Sequence, residues 1–140
     1  MKKINIYNPP EGQGLAVNSD ARGTIADVFY NTSINHVCVI HSNPEAVRGN
    51  HYHNHTVQHT LLTKGQMRYW WKPVDSSEPA QCVDLEAGDL VTSERGEIHT
   101  LQFLDEVSEC VVFTEGERGG VDYEKDTHRV DNIIYDVEIH

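Results

Sequence analysis

Apolar and polar residues alternate along this chain in short runs, and no window sustains an apolar period of 3.6 residues. The alternation predicts strands over residues 3–7, 24–30, 35–40, 56–63, 66–72, 81–85, 88–92, 97–103 and 109–115. Pro9-Pro10 stops the first strand, and Asn31-Thr32-Ser33 joins the next two. Lys64-Gly65 reads as the turn of a hairpin between 56–63 and 66–72, while 73–80 makes a polar excursion. Segments 12–20 and 42–50 read as loops. Beyond Glu115 the chain becomes glycine-rich and charged, which predicts a solvated tail closed by an edge strand over 132–139. Many short strands with frequent turn signals mean an all-β sandwich or barrel with little helix.

One stretch carries chemistry. His51, His53, His55 and His59, four of the chain's nine histidines, stand within Arg48–Gly65. His51 and His53 are two apart, so on a strand both side chains leave the same face. A further histidine, His99, opens an apolar strand downstream of Gly88. Imidazoles from two strands, joined by the amide of Gln58, have the composition of a divalent-metal cage of His51, His53, Gln58 and His99. Zinc or nickel suits such imidazole-rich ligation first, with iron and manganese left open. His59 is out of phase with Gln58, so it and His55 read as structural or surface residues.

The spacing of these residues resembles the two motifs of the cupins. His51-x-His53-x4-Gln58-x6-Gly65 is similar to the first motif, with Gln58 where the family has Glu. Gly88-x5-Glu94-x-Gly96-x2-His99 is similar to the second, with Glu94 in place of Pro and Phe103 in place of Asn. The resemblance implies a single antiparallel cupin, or jelly-roll, barrel. Asp20-Ala21-Arg22-Gly23 and Arg48-Gly49-Asn50-His51-Tyr52 narrow it to the nucleotide-sugar branch. That branch holds dTDP-4-dehydrorhamnose 3,5-epimerases and dTDP-4-keto-6-deoxyhexose 3,4-ketoisomerases. The form Arg48–His53 also resembles the metal-binding cupin domain of a bifunctional capsular-polysaccharide enzyme.

This resemblance implies that Arg22 and Arg48 hold a nucleotide diphosphate and that His51 or His53 moves a proton beside a sugar ketone. Tyr69, in the run Tyr69-Trp70-Trp71, is a candidate to stack on the sugar or base. The chain also departs from both sub-patterns, with Val57 where ketoisomerases carry Glu and His53 where epimerases carry Gln. The implied function is an isomerase or epimerase of a nucleotide-linked 4-keto sugar, in precursor synthesis for surface polysaccharide. A metal-dependent cupin of another class, a dioxygenase or lyase, and a non-catalytic sugar-binding cupin are the alternatives.

Composition bounds the rest. A length of 140 residues predicts one domain, with a barrel core over about 22–116 and a tail over 117–140. A formal charge of −11 argues against nucleic acid, and the resemblance implies a small-molecule partner, a nucleotide sugar. Cys38, Cys82 and Cys110, odd in number and within strand-like runs, read as buried reduced thiols of a cytoplasmic protein. No apolar run approaches membrane-spanning length. Uncovered sheet edges and the Trp70-Trp71 pair predict a homodimer.

Overall fold

The computed structural model describes residues 1–12, 15–116 and 118–134. The strands are β1 (Lys2–Asn5), β2 (Val17–Asp20), β3 (Gly23–Ala26), β4 (His36–Ser42), β5 (Val47–Tyr52) and β6 (Val57–Lys64). They continue as β7 (Met67–Pro73), β8 (Gln81–Leu85), β9 (Asp89–Ser93), β10 (Glu97–Phe103), β11 (Ser108–Glu115) and β12 (His128–Arg129). One turn of 3-10 helix over Gly120–Asp122 is the only helical segment among the described residues.

Two five-stranded sheets, ordered β1-β9-β6-β11-β4 and β12-β5-β10-β7-β8, face one another, and β2-β3 forms a separate hairpin. Every pairing is antiparallel. From β4 to β7 and again from β8 to β12 the chain alternates between sheets at each step. That is a jelly roll, as the cupin motifs imply.

The alternation therefore does a different job at Gly65 from the one its sequence suggests. β6 pairs with β9 and β11, whereas β7 pairs with β8 and β10, so Lys64-Gly65 is a corner between sheets rather than a hairpin turn. Gly65 has φ of 88°, and a Cβ there would lie 2.1 Å from the Ser108 hydroxyl oxygen, so only glycine lets the chain pass. Two strands read as loop are present as well, β2 and β5. Their polar residues gave no apolar alternation to read.

Between the sheets lie Leu62, Met67, Tyr69, Leu85, Val91, Leu101, Phe103, Cys110 and Val112. β6 is buried on both faces: Gln58, Thr60 and Leu62 point into the barrel, while His59 and Leu61 point outward beneath Ile6 and Phe29. Trp70 and Ile98 on the outer face of the other sheet are covered by Ile133 from the C-terminal segment. The tryptophan pair thus supplies no open apolar face. The indole N–H of Trp70 donates to Gln102, and Trp71 stacks on Tyr69. Of the cysteines, Cys110 is buried and Cys38 half-buried, but Cys82 is exposed. On β8, Val83 and Leu85 take the inward phase and Cys82 the outward one.

The tail differs most from its sequence reading. β12 pairs with β5, and Arg118, Asp126, Thr127 and Ile133 are buried. The edge strand expected over 132–139 falls largely outside the described residues; 132–134 are not strand.

Candidate active site

The site is built on an irregularity in β5. His51 pairs with His99 and Gly49 with Thr100, so Asn50 is an extra residue opposite a single position of β10. Gly49 and Asn50 have φ of 103° and 55°, and a Cβ on Gly49 would meet the His99 carbonyl oxygen at 2.6 Å. The bulge is held by its own side chain. The Asn50 N–H donates to Thr100 Oγ1 (3.1 Å), the Thr100 hydroxyl donates to Asn50 Oδ1 (2.7 Å), and the Ile133 N–H donates to the same oxygen (3.1 Å).

This extra residue shifts the phase of the strand. Arg48 and His51, three apart, would face opposite ways on a regular strand. With the bulge both line one cavity, of about 240 Å³, together with Gln58, His99, Cys38 and Arg118. The Arg-Gly-Asn-His sequence is thus a geometric device: Gly and Asn accept the left-handed backbone that puts guanidinium and imidazole on one side.

His51, His53 and His99 converge, with ring centroids 4.7–5.2 Å apart and one ring nitrogen of each within 4.8 Å of the others. Two of the rings are oriented from behind. His53 Nδ1–H donates to the Asp126 carbonyl (2.7 Å), and His99 Nδ1–H donates to the Glu97 carbonyl (3.3 Å). Their Nε2 atoms, and Gln58 Oε1, are buried and make no well-formed hydrogen bond among the described residues, although the Gln58 amide lies near enough to His53 to favour its protonation. Buried polar atoms are rarely left unpaired, so each of these three points to a ligand. A ring whose Nδ1–H is tied to a carbonyl while Nε2 stays bare is also the usual arrangement of a metal-bound histidine. The donor set fits a divalent ion.

Burial is the main reason all three imidazoles titrate low. His51 is pushed down to about 3 by burial, then by His53 and Arg118; His53 and His99 move the same way, again first through burial. At neutral pH the cluster is therefore uncharged, the form in which imidazole accepts a proton or a metal. The consequence for stability has a definite sign. Unfolded histidine protonates near 6.5 while the folded rings stay neutral, so the metal-free protein loses stability as pH falls below about 6.5. Each such ring removes up to about 1.4 kcal/mol per pH unit over that range. The melting temperature without metal should therefore drop steadily from pH 7 to 5. Saturating Zn²⁺ should raise it at pH 7, by about 2.7 kcal/mol of stability at a hundredfold excess over Kd.

Asp126 supports the cluster from the tail. Its carboxylate accepts the backbone N–H groups of Asn54 (2.9 Å) and His55 (2.7 Å), while its carbonyl orients His53. Burial would raise the Asp126 pKa, but these hydrogen bonds outweigh it and hold the group below its usual range. Arg118 and Tyr123, from the same segment, close one side of the cavity. None of Asn50, Arg118, Tyr123 or Asp126 stands out in the sequence, because each acts through backbone contacts or tail packing that no periodicity encodes.

Two expected substrate-binding residues lie elsewhere. Arg22 sits at the tip of the β2–β3 hairpin, its side chain 90 % exposed and engaged by Asp20 at 2.7 Å, and it does not line the cavity. Tyr69 is 0 % exposed in the barrel core, with its hydroxyl on Ser93 (2.6 Å), so no substrate reaches its ring. Burial drives that hydroxyl's pKa far up, keeping it neutral. Tyr52, between the two histidines, points away from them and stacks on His128. His55 is exposed, and His59 is held outside the barrel between Thr92 (2.8 Å) and Glu115 (2.6 Å).

Comparison with known proteins follows the same lines. A protein-family model described as the polysaccharide biosynthesis C-terminal domain matches residues 18–117. Among curated proteins none matches the chain. A 3,4-ketoisomerase from Helicobacter canadensis superposes with a TM-score of 0.72 at 13 % identity, over 92 % of this chain and 90 % of that one. A dTDP-4-dehydrorhamnose 3,5-epimerase from Sulfolobus tokodaii gives 0.66 at 20 % identity, over 81 % and 72 % of the two chains. A mutant 3,4-ketoisomerase from Thermoanaerobacterium thermosaccharolyticum, solved in complex with TDP-4-keto-6-deoxyglucose, gives 0.69 at 14 % identity, over 92 % and 86 %. At these identities the likeness is one of fold, and it is the cupin-like barrel.

Proposed function

This chain belongs to the family of polysaccharide biosynthesis C-terminal domains, and we propose that its barrel is an isomerase or epimerase of a nucleotide-linked 4-keto sugar. The observation that carries the reading is one cavity in which neutral imidazoles stand beside guanidinium groups. The names of the structural neighbours, ketoisomerases and epimerases of nucleotide sugars, support it.

The chemistry follows from the substrate class. A ketone at C4 makes the protons on C3 and C5 acidic. His51, at the cavity wall, takes such a proton as the C–H electrons pass into an enolate. Passing the C3 hydroxyl proton to the C4 oxygen and returning a proton to carbon C4 gives the 3-keto isomer; returning the proton to the opposite face of the carbon that lost it gives the epimer. Arg48 holds the diphosphate at the mouth, its Nε donating to Ser42 at 3.1 Å and the remaining guanidinium N–H groups serving paired phosphate oxygens. Burial and then His53 and Arg118 lower the proton affinity of His51, and an anionic substrate that offsets Arg118 raises it.

His51, His53, His99 and Gln58 are the residues that would hold a divalent metal. Such an ion, when bound, supplies Lewis-acid polarisation of the ketone oxygen. Untagged protein should contain close to one equivalent of zinc or nickel by elemental analysis. Less than about a tenth of an equivalent, unrestored by added metal, contradicts the metal proposal at the usual affinities of such sites.

The protein is further read as a cytoplasmic homodimer. No helix among the described residues is long and apolar enough to cross a membrane, and the free cysteines suit a reducing compartment. Val37 and Val39 lie exposed on β4, an edge of its sheet, and Ile25 and Tyr30 are exposed nearby in sequence. An isologous contact through that edge would cover them. Light scattering at micromolar concentration should give twice the 15.9 kDa chain mass; a monomer refutes the dimer.

The enzymatic reading is tested by product. Incubation with dTDP-4-keto-6-deoxyglucose should yield a 3-keto isomer or a C3 or C5 epimer by NMR. Unchanged substrate at enzyme concentrations near stoichiometric counts against it.

A further inference from the structure

Arg118 is placed against its own folding interest. It is 7 % exposed, its Nε has no partner among the described residues, and no carboxylate there forms an ion pair with it. Its guanidinium carbon lies 4.8 Å from the centre of the Tyr123 ring, and among the described residues Tyr123, followed by Cys38, is the neighbour that favours its charge. Burial lowers its pKa first of all, yet guanidinium remains charged at any working pH. A chain with 22 acidic residues has no shortage of counter-ions. Even so, among the described residues the cavity wall carries Arg48, Arg118, His51 and His99 and no Asp or Glu; Glu124 acts on the site only from outside it, bound to Arg129. A buried cation without a carboxylate partner is costly, and it persists where something else supplies the negative charge.

We infer that Arg118, with Arg48, forms an oxyanion subsite inside the cavity, filled by a phosphate or carboxylate oxygen of the substrate. The inference rests on the reading of this cavity as the substrate site and adds a residue to it from the C-terminal segment. Arg48 is exposed at the mouth and Arg118 is deep, so an anion bound between them lies beside His51 and His99. Its oxygen receives the Arg118 Nε–H that is otherwise unused. Guanidinium recognises both oxyanion types through parallel N–H donors, which ammonium does not reproduce. The two sources are a phosphate of a nucleotide diphosphate and a carboxylate on the sugar.

The test compares wild type, Arg118→Met and Arg118→Lys by calorimetric titration at low ionic strength. The probes are inorganic pyrophosphate, D-glucuronate and dTDP. At least one of pyrophosphate and glucuronate should bind wild type, and Arg118→Met should weaken it at least tenfold. The ligand-free Arg118→Met protein should melt at the same temperature as wild type or higher, because the substitution removes an unpaired buried charge. A residue with a purely structural role would instead lower the melting temperature and leave affinity intact. Arg118→Lys keeps the charge and loses the fork, and should weaken binding at least threefold; it carries the comparison if the Met variant does not fold. Pyrophosphate binding assigns the subsite to phosphate, and glucuronate binding alone assigns it to a carboxylate. If neither anion binds wild type, or affinity is unchanged in the variants, the subsite is overturned. If an anion binds through Arg118 but dTDP does not displace it, the subsite stands and the nucleotide reading falls.

Discussion

Replacing His51 with asparagine should leave a folded protein that still binds nucleotide sugar and turns it over about 10²–10⁴ times more slowly. Asparagine approximates the polar edge of imidazole without its proton affinity, so the cavity keeps its shape and loses its base. Both kcat and kcat/KM should fall by similar factors, the pattern of an interaction made only in the transition state. Metal content is read on the same sample, since a ring cannot ligate a cation and accept a proton through the same nitrogen at once. Retained metal with lost turnover assigns ligation to His53, His99 and Gln58 and proton transfer to His51. Unchanged turnover contradicts the catalytic assignment.

The second large effect is expected at Asp126, a residue with no part in the chemistry itself. Its carboxylate closes the backbone of Asn54 and His55, and its carbonyl fixes the His53 ring. Asp126→Ala removes the charged acceptor of two part-buried N–H groups, at a cost of about 1–3 kcal/mol. It also frees the segment that orients His53, which should reduce metal affinity about 10–100-fold. Thermal unfolding and zinc titration of the same variant check both parts. A variant with wild-type stability and wild-type zinc affinity would show that the tail merely covers the site.

These two residues mark where the sequence could and could not be read. His51, His53 and His99 were legible because strand periodicity places positions two apart on one face, and because their spacing matches two cupin motifs. The nine apolar strands were legible for the same reason, give or take an end residue or a stretch such as 27–30, which is mostly apolar yet packs on the core without joining a sheet. The bulge was not. Gly49 and Asn50 look like loop residues, and their left-handed backbone instead re-phases a strand so that Arg48 joins the histidines. Turn chemistry alone does not say which sheet the next strand joins, so in sequence the corner at Gly65 looks like a hairpin. Asp126 and Arg118 were hidden for a deeper reason. A glycine-rich charged stretch has the composition of a solvated tail, and only the tertiary fold shows that its charges are directed inward. The D-x-R-G segment holding Arg22 does not bring it to the site, since Asp20 two residues away occupies its guanidinium at the hairpin tip.

The central claim is proton transfer next to a sugar ketone inside this cavity. Its most direct measurement is solvent exchange: dTDP-4-keto-6-deoxyglucose incubated with the protein in heavy water and followed by proton NMR. Loss of the C3 proton signal, at a rate that falls about 10²–10⁴-fold in His51→Asn, is the predicted result. Loss of the C5 signal as well would identify a 3,5-epimerase. No exchange above the buffer rate with this or another 4-keto nucleotide sugar, using protein shown to bind dTDP, would contradict it.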